Sequence, residues 1–308
     1  MLNSTATLGV DVGGTRIKWV RWIAGAGIAE QGQLPTPRTG PAGVVEAIGA
    51  LAGGQQCDAV GVGVPGHLTD DGRGTRMIPN LPGEWAGLRL ADQVEERIGH
   101  PVVLTNDARA FARAELDHGA ARDLANVLFV TLGTGIGGAL ALNGKILRSR
   151  GDAVGELGHM ICRPGGRRCG CGAIGCLETV AGGSALVTCA RALGSAAETP
   201  DDVVRLAEST DGPERGVLLD AAQALGLVLG NVLAYTGVNT VVIGGGVASA
   251  FDAMRERVQL ALAERSGLIG TAIIRMAELG PIAGALGAAF EAIEYADARL
   301  TLPAPGGT

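Results

Sequence analysis

The residues best able to do chemistry in this chain lie in "GELGHMICRPGGRRCGCGAIGCLET", which holds His159, Cys169, Cys171 and Cys176 with Glu156 and Glu178 at its two ends. Three thiolates and one imidazole form a closed Cys3His set suited to a tetrahedral zinc ion. Gly165, Gly166, Gly170, Gly172 and Gly175 let so short a loop wrap around one ion. The C-x-C-x4-C spacing differs from the C-x2-C pair of zinc ribbons, and a cluster of free thiols is the plainer alternative. Cys57, Cys162 and Cys189 stand apart in the sequence and read as core or surface thiols.

Asn106 and Asp107 follow the apolar run "PVVL" directly. A polar pair at the C-terminal end of a strand points into the crevice where α/β proteins bind ligands. Asp107 can then accept a proton from a substrate hydroxyl. Asn and Asp are also favoured helix caps, and both roles can coexist on neighbouring residues. Two glycine turns could hold phosphate. The first is "DVGGTRIK", with Asp11, Gly13, Gly14, Thr15 and Lys18; an ordinary hairpin is the alternative. The second is "TLGTGIGGA", where Thr131, Thr134 and Gly135 put hydroxyls and bare N–H groups at one turn. It lacks the Gly-Lys-Ser/Thr of a Walker A loop and continues as a strand, unlike a dinucleotide fingerprint. Later, "VVIGGGV" ends a strand in Gly244, Gly245 and Gly246, where a flat ring such as adenine can lie; close helix packing is the alternative.

The elements that must position these residues alternate. "ATLGVDV" and "TRIKWVRWIA" read as a hairpin around Gly13-Gly14, "GPAGVVEAIGALAG" as a helix, and "DAVGVGVPG" as a buried strand ending in a glycine loop. "GLRLADQVEERIG" has helical spacing, and "PVVLTNDARAFARAELDHG" turns from strand to helix. Near residue 120 the pattern restarts as strand, glycine turn, strand, which reads as a weak duplication of one structural unit. Strands alternating with helices give an α/β class. Two restarts favour two similar domains facing a cleft, a common ligand site. Asn80 and Trp85 sit in a Pro/Gly loop that either closes on a ligand or is a plain turn; His67, His100 and His118 have no partner in sequence, and the tail "LPAPGGT" is expected to fray.

Composition narrows the function classes. The chain of 308 residues has a net charge of −6, 47% hydrophobic residues and 3% aromatics. This is a globular composition with neither the basic footprint nor the stacking platforms of a nucleic-acid binder. The start shows no signal peptide. The richest apolar stretch, "AAQALGLVLGNVLAY", is broken by Gln223 and Asn231 and reads as too short to span a bilayer. A soluble, cytoplasmic protein with reduced thiols is expected, with no nucleic-acid or membrane partner.

In this order the five pieces resemble the ROK family of sugar kinases and repressors, over about residues 8 to 290. "DVGGTRIK" and "TLGTGIGGA" resemble its two phosphate motifs, "GELGH" with "CGCGAIGCLE" its sugar and zinc signature, and "VVIGGGV" its adenosine strand. "TNDARAFARAE" resembles its catalytic motif, in which Asn is commoner where this chain has Arg109. The resemblance implies a two-domain actin-like, hexokinase-type fold of mixed sheets with an interdomain cleft. It implies domains at 1–117 and 118–287, with a last helix at about 288–300 packing back on the first. It further implies Asp107 as general base; Gly66, Asn80, Asn106, Glu156, His159 and Glu178 on the sugar; and Asp11 organising Mg2+. Gly13, Gly14, Thr15, Lys18, Thr134, Gly135, Gly245 and Gly246 would surround ATP. The zinc would be held by His159, Cys169, Cys171 and Cys176.

The activity implied is ATP-dependent phosphorylation of a sugar 6-hydroxyl, with glucose first, by a homodimer or homotetramer. Kinases of kanosamine, glucosamine, N-acetylmannosamine, N-acetylglucosamine, fructose or allose share the same hydroxyl-binding set. A polyphosphate-dependent glucokinase is less expected, given the complete cysteine loop and "VVIGGGV". A sugar-sensing repressor is disfavoured because the first phosphate motif starts at residue 8, which leaves no room for a DNA-binding domain.

Overall fold

The structure is a computed structural model that describes residues 5–53, 57–78, 81–209 and 212–301. In chain order the strands and helices begin with β1 (Ala6–Val12), β2 (Arg16–Ile23), β3 (Gly27–Pro35), α1 (Pro41–Ala52) and β4 (Ala59–Val64). There follow β5 (His67–Leu68), β6 (Thr75–Met77), α2 (Leu90–Ile98), β7 (Val102–Asn106) and α3 (Asp107–Asp117). The restart gives β8 (Val127–Leu132), β9 (Ile136–Leu142) and β10 (Lys145–Ile146). After the cysteine loop come α4 (Glu178–Ala181), α5 (Gly183–Ala192), α6 (Pro200–Ser209), α7 (Pro213–Thr236), β11 (Thr240–Gly244) and α8 (Ala248–Ala263). The chain closes with α9 (Ser266–Ile269), β12 (Ile273–Met276) and α10 (Ala283–Thr301). Asn80 and the tail from residue 302 lie outside the described residues.

Two compact units result: 1–119 with 148–153 and 281–308, and 120–147 with 154–280. Each is built on a five-stranded mixed sheet, ordered β3-β2-β1-β4-β7 in the first and β10-β9-β8-β11-β12 in the second. In both, three antiparallel strands of a meander are extended by two parallel ones. The duplication read near residue 120 is therefore a repeat of topology. β3 went unread in the sequence because "GIAEQGQLP" is mostly exposed and has no buried apolar run, as an edge strand can be.

In the first unit, strand alternation decides which residue faces which helix. Leu8, Val10 and Val12 of β1 are fully buried in a core shared with Val44 and Ile48 of α1 and Leu90 and Val94 of α2. The alternate residues face α10. A Cβ on Gly9 or Gly61 would collide with the backbone of Ala285 or Ala288, so the two glycines let α10 lie directly on β1 and β4. Asp11 is next in this row, at the helix start: a Cβ on Gly284 would sit 2.8 Å from Asp11 Oδ2. Trp85 is core, 3% exposed, with its indole N–H on Pro82 O. His118 packs its ring against Trp22 and Phe290.

The second unit packs Leu128, Val130 and Leu132 of β8 against α5, α7 and α8. α7 corrects one expectation. At 24 residues it is long and apolar enough to cross a membrane, because Gln223 and Asn231 do not interrupt the helix. Most of its apolar window is buried inside the protein, as in the core helix of a folded domain.

Candidate functional site

In the first unit the catalytic candidates stand where β7 becomes α3. Asn106 is the N-cap: its Oδ1 accepts from the N–H of Ala108 at 2.9 Å and of Arg109 at 3.3 Å. Its Nδ2 donates to Gly66 O at 3.0 Å, and the residue is 4% exposed. The capping reading holds for Asn106, whose amide carries two hydrogens, of which Gly66 takes one. Gly66 holds a φ of 88°, open to glycine at no cost, and its carbonyl anchors Asn106. Asp107 is the first residue of α3, half-buried, with Oδ1 accepting the Ala108 N–H at 2.8 Å. That position is the positive end of the helix dipole, which favours an ionised carboxylate.

The first glycine turn closes the hairpin of β1 and β2. Gly13 N–H closes on Arg16 O at 3.1 Å, and Thr36 Oγ1 donates to Gly13 O at 2.6 Å. Gly14 and Thr15 are exposed at the tip. Lys18 is paired opposite Asp11 across the hairpin. Burial pushes the Asp11 carboxyl above its ordinary range, and the Lys18 charge offsets only part of this. A carboxylate whose charge is penalised in this way suits a site that receives a cation, so Asp11 fits a magnesium ion.

The second unit gathers the cysteine loop. Cys169 Sγ lies 3.5 Å from His159 Nδ1, and Cys171 Sγ lies 3.6 Å from Cys176 Sγ. All four ligand atoms fall within 4.8 Å of one another. A tetrahedral zinc with Zn–S bonds of ~2.3 Å would hold its ligands about 3.8 Å apart, so the set fits one ion. The thiols support this. Burial raises Cys169, and burial with the neighbouring Cys171 pushes Cys176 up to about 12, whereas the Ala173 N–H lowers Cys171. Three crowded sulfurs cannot all ionise without a cation. His159 turns its other nitrogen away from the sulfurs, with Nε2 3.9 Å from Glu156 Oε2. At that distance the carboxylate lies near the ring without hydrogen-bonding to it.

Glu178 starts α4, and its Oε2 accepts the Ile136 N–H at 3.0 Å. A Cβ on Gly135 would collide with that carboxylate, so the glycine lets Glu178 lie against the turn. The Gly133 and Thr134 carbonyls accept from Gly183 and Ser184 at 2.9 and 3.0 Å, and Thr134 is exposed. The starts of α4 and α5 thus hold the second glycine turn beside the carboxylate at the end of the cysteine loop. At the end of β11, Gly245 has a φ of 102° and lies against the Leu132 backbone, while Gly246 has open space around it. Gly245 therefore packs on the end of β8 rather than against a helix.

Sequence reasoning missed Asp152. It is 7% exposed, accepts the Asn106 N–H at 2.9 Å and lies 3.3 Å from Arg109 Nε. The one available signal was Arg109 itself, the departure from the commoner motif, since a buried arginine needs an acid.

The family profile described as "ROK family" matches residues 7–294. The chain is 32% identical to the glucokinase of Streptomyces coelicolor, covering 92% of this chain and 96% of that one. It is 31% identical to the N-acetylmannosamine kinase of Salmonella newport, over 79% and 84% of the two chains. The ROK family glucokinase from Streptomyces griseus, solved in complex with glucose and AMPPNP, superposes with a TM-score of 0.79 at 32% identity, covering 94% of this chain and 99% of that chain. With a profile that runs from β1 into α10 and likeness of this extent, the chain belongs to the ROK family.

Proposed function

We propose that this protein is an ATP-dependent hexose kinase that phosphorylates the 6-hydroxyl of D-glucose. The observation that carries the reading is the carboxylate of Asp107, set at the first turn of α3 by a buried, fully anchored Asn106. A sugar hydroxyl is far less acidic than a carboxylic acid, so Asp107 takes its proton only as the phosphoryl group arrives. The O6–H bond breaks toward Asp107, O6 bonds to the γ-phosphorus, and the β–γ bridging oxygen leaves with ADP. Such chemistry needs positioning and charge neutralisation more than covalent help.

The remaining residues take the complementary roles. Asn106 offers its second amide hydrogen to a hydroxyl, and Glu156, His159 and Glu178 accept or share the ring hydroxyl protons. Gly66 and Asn80 complete the sugar set. Gly13, Gly14, Thr15 and Lys18, with Thr134 and Gly135, present N–H groups, hydroxyls and a cation to the phosphates, and Gly245 and Gly246 lie against the adenosine. Magnesium, held through Asp11, supplies charge neutralisation for the phosphates. Zinc, held by His159, Cys169, Cys171 and Cys176, is structural and keeps the His159 loop in shape. The same reading includes a cytoplasmic setting and a homodimer or homotetramer.

Glucose is preferred because the relative named glucokinase and the solved structure holding glucose and AMPPNP match over nine-tenths of the chain. The N-acetylmannosamine kinase, similar over 79%, keeps an N-acetylhexosamine as the second reading. A panel of hexoses, amino-sugars and N-acetylhexosamines with MgATP, read by coupled ADP release, decides. Glucose should show the highest kcat/KM. A site built for a hydroxyl discriminates by orders of magnitude, so an amino- or N-acetyl sugar ahead by ~10-fold would replace glucose and leave the kinase standing.

A further inference from the structure

Arg109 occupies the third helical position of α3, counted from the cap Asn106. A Glu or Gln at that position commonly reaches back to accept the cap residue's own N–H. Arginine has five donors and no acceptor, so it cannot. Here the carboxylate comes from 46 residues further along the chain: Asp152 Oδ2 accepts the Asn106 N–H at 2.9 Å. Asp152 Oδ1 lies 3.3 Å from Arg109 Nε and 3.3 Å from Arg148 Nη1. The capping interaction is thus relayed, from Arg109 through Asp152 to the amide of Asn106.

Three features say that this carboxylate is placed for a purpose. Asp152 holds a φ of 51°, a left-handed conformation that is uncommon outside glycine, although aspartate and asparagine adopt it more readily than other residues. Strain of this kind persists where the surroundings demand a particular side chain. The pair is deeply buried, with Arg109 1% and Asp152 7% exposed. Buried ion pairs stabilise little beyond what apolar packing would, because both charges lose their hydration, and the Arg109 Nε–Asp152 contact is ionic rather than a hydrogen bond. Finally, β7 ends its sheet, and among the described residues no strand lies on its outer edge. The Asn106 N–H there needs an acceptor, and Asp152 supplies it.

We propose that Asp152 is a positioning residue for phosphoryl transfer: by joining Arg109 to the Asn106 amide, it fixes the backbone from which Asp107 is presented. The inference rests on Asp107 being the base. Asp152 acts through the Asn106 backbone and the Arg109 side chain.

The test is a set of variants: Asp152→Gly, Asp152→Asn, Arg109→Asn and the double Arg109→Asn/Asp152→Gly. They are assayed with D-glucose and MgATP and followed by amide hydrogen exchange. Asp152→Gly should lower kcat by ~10- to 100-fold with the KM for ATP unchanged, since a displacement of ~1 Å at the reacting centre has that scale of effect. Asp152→Asn keeps an acceptor for the amide and should fall in between. The double variant should be no worse than either single one, because both break the same relay. Exchange at the Asn106 amide should quicken by ~10-fold or more in Asp152→Gly while Leu104 stays protected. If Asp152→Gly fails to fold, Arg109→Asn carries the same readouts. Unchanged kcat, or unchanged exchange at Asn106, overturns the inference, as do losses that simply multiply in the double variant. Asp107→Asn is the control for the underlying reading: if it keeps full turnover, the base assignment falls, and exchange at Asn106 still judges Asp152.

Discussion

Asp107 shows how one position can serve two ends. As the first residue of α3 it takes the Ala108 N–H, which an ordinary capping acid would also do. Its neighbour Asn106 takes the cap itself, so the Asp107 carboxylate is held at the helix start without being needed to close it. Asp107→Asn keeps size and polarity and removes the base. Turnover should fall by ~10²–10⁴ while sugar affinity, measured by calorimetry, changes little. A variant that turned over at the parental rate with an intact fold would remove Asp107 from the mechanism. The types and order of such residues were legible in the sequence. That Asn106 uses its amide inward, on Gly66, was not, because Gly66 is 40 residues away and nothing local marks it.

At the scale of elements, the cysteine loop is a short structure without a core of its own. Its helical pieces are a single turn at Leu157–His159 and the four residues of α4. Neither length is stable alone, so a metal crosslink is a natural source of order. Protein purified without chelator should carry about one zinc per chain by metal analysis. Cys171→Ser should lose the metal and weaken sugar affinity together, because His159 and Glu178 lie at the two ends of the same loop. Metal-free wild-type protein with all three thiols titrating freely and sugar affinity intact would show that the loop needs no ion. The Cys3His set was readable as residue types at a spacing. The Nδ1 orientation of His159 toward the sulfurs was not, since only the folded loop turns the ring.

At the scale of the whole chain, α10 carries an acid that links distant segments of the first unit. Glu291 meets Arg148 at 2.5 Å and Arg113 at 3.8 Å. Burial raises its carboxyl above the ordinary range, with Arg148 and Arg113 opposing. A raised folded value means that the native state holds a proton the unfolded chain has already released. The stability from this group is therefore full below about pH 4, where unfolded glutamate titrates, and is lost as pH rises through the raised value. Glu291→Gln removes that slope. Thermal unfolding against pH should show the variant gaining on wild type as pH rises above about 4. Parallel curves for the two proteins would mean that the carboxyl is not shifted.

The sequence alone determined the α/β alternation, the hairpins around both glycine turns, the repeat of one unit and which four residues form the Cys3His cluster that fits a metal ion. These follow from local causes: side-chain period, the backbone freedom of glycine, and the chemistry of sulfur and imidazole. Tertiary structure alone decided the rest. It made β3 a strand by giving it β2 to pair with. It buried α7, whose apolar length by itself would also suit a bilayer. It brought α10 back onto β1 and β4 at Gly9 and Gly61, and Asp152 onto Asn106. The β2–β3 pairing is local, but the α10 and Asp152 contacts join residues tens to hundreds of positions apart, and a hydrogen bond or a close approach across that separation leaves no periodic trace in the chain.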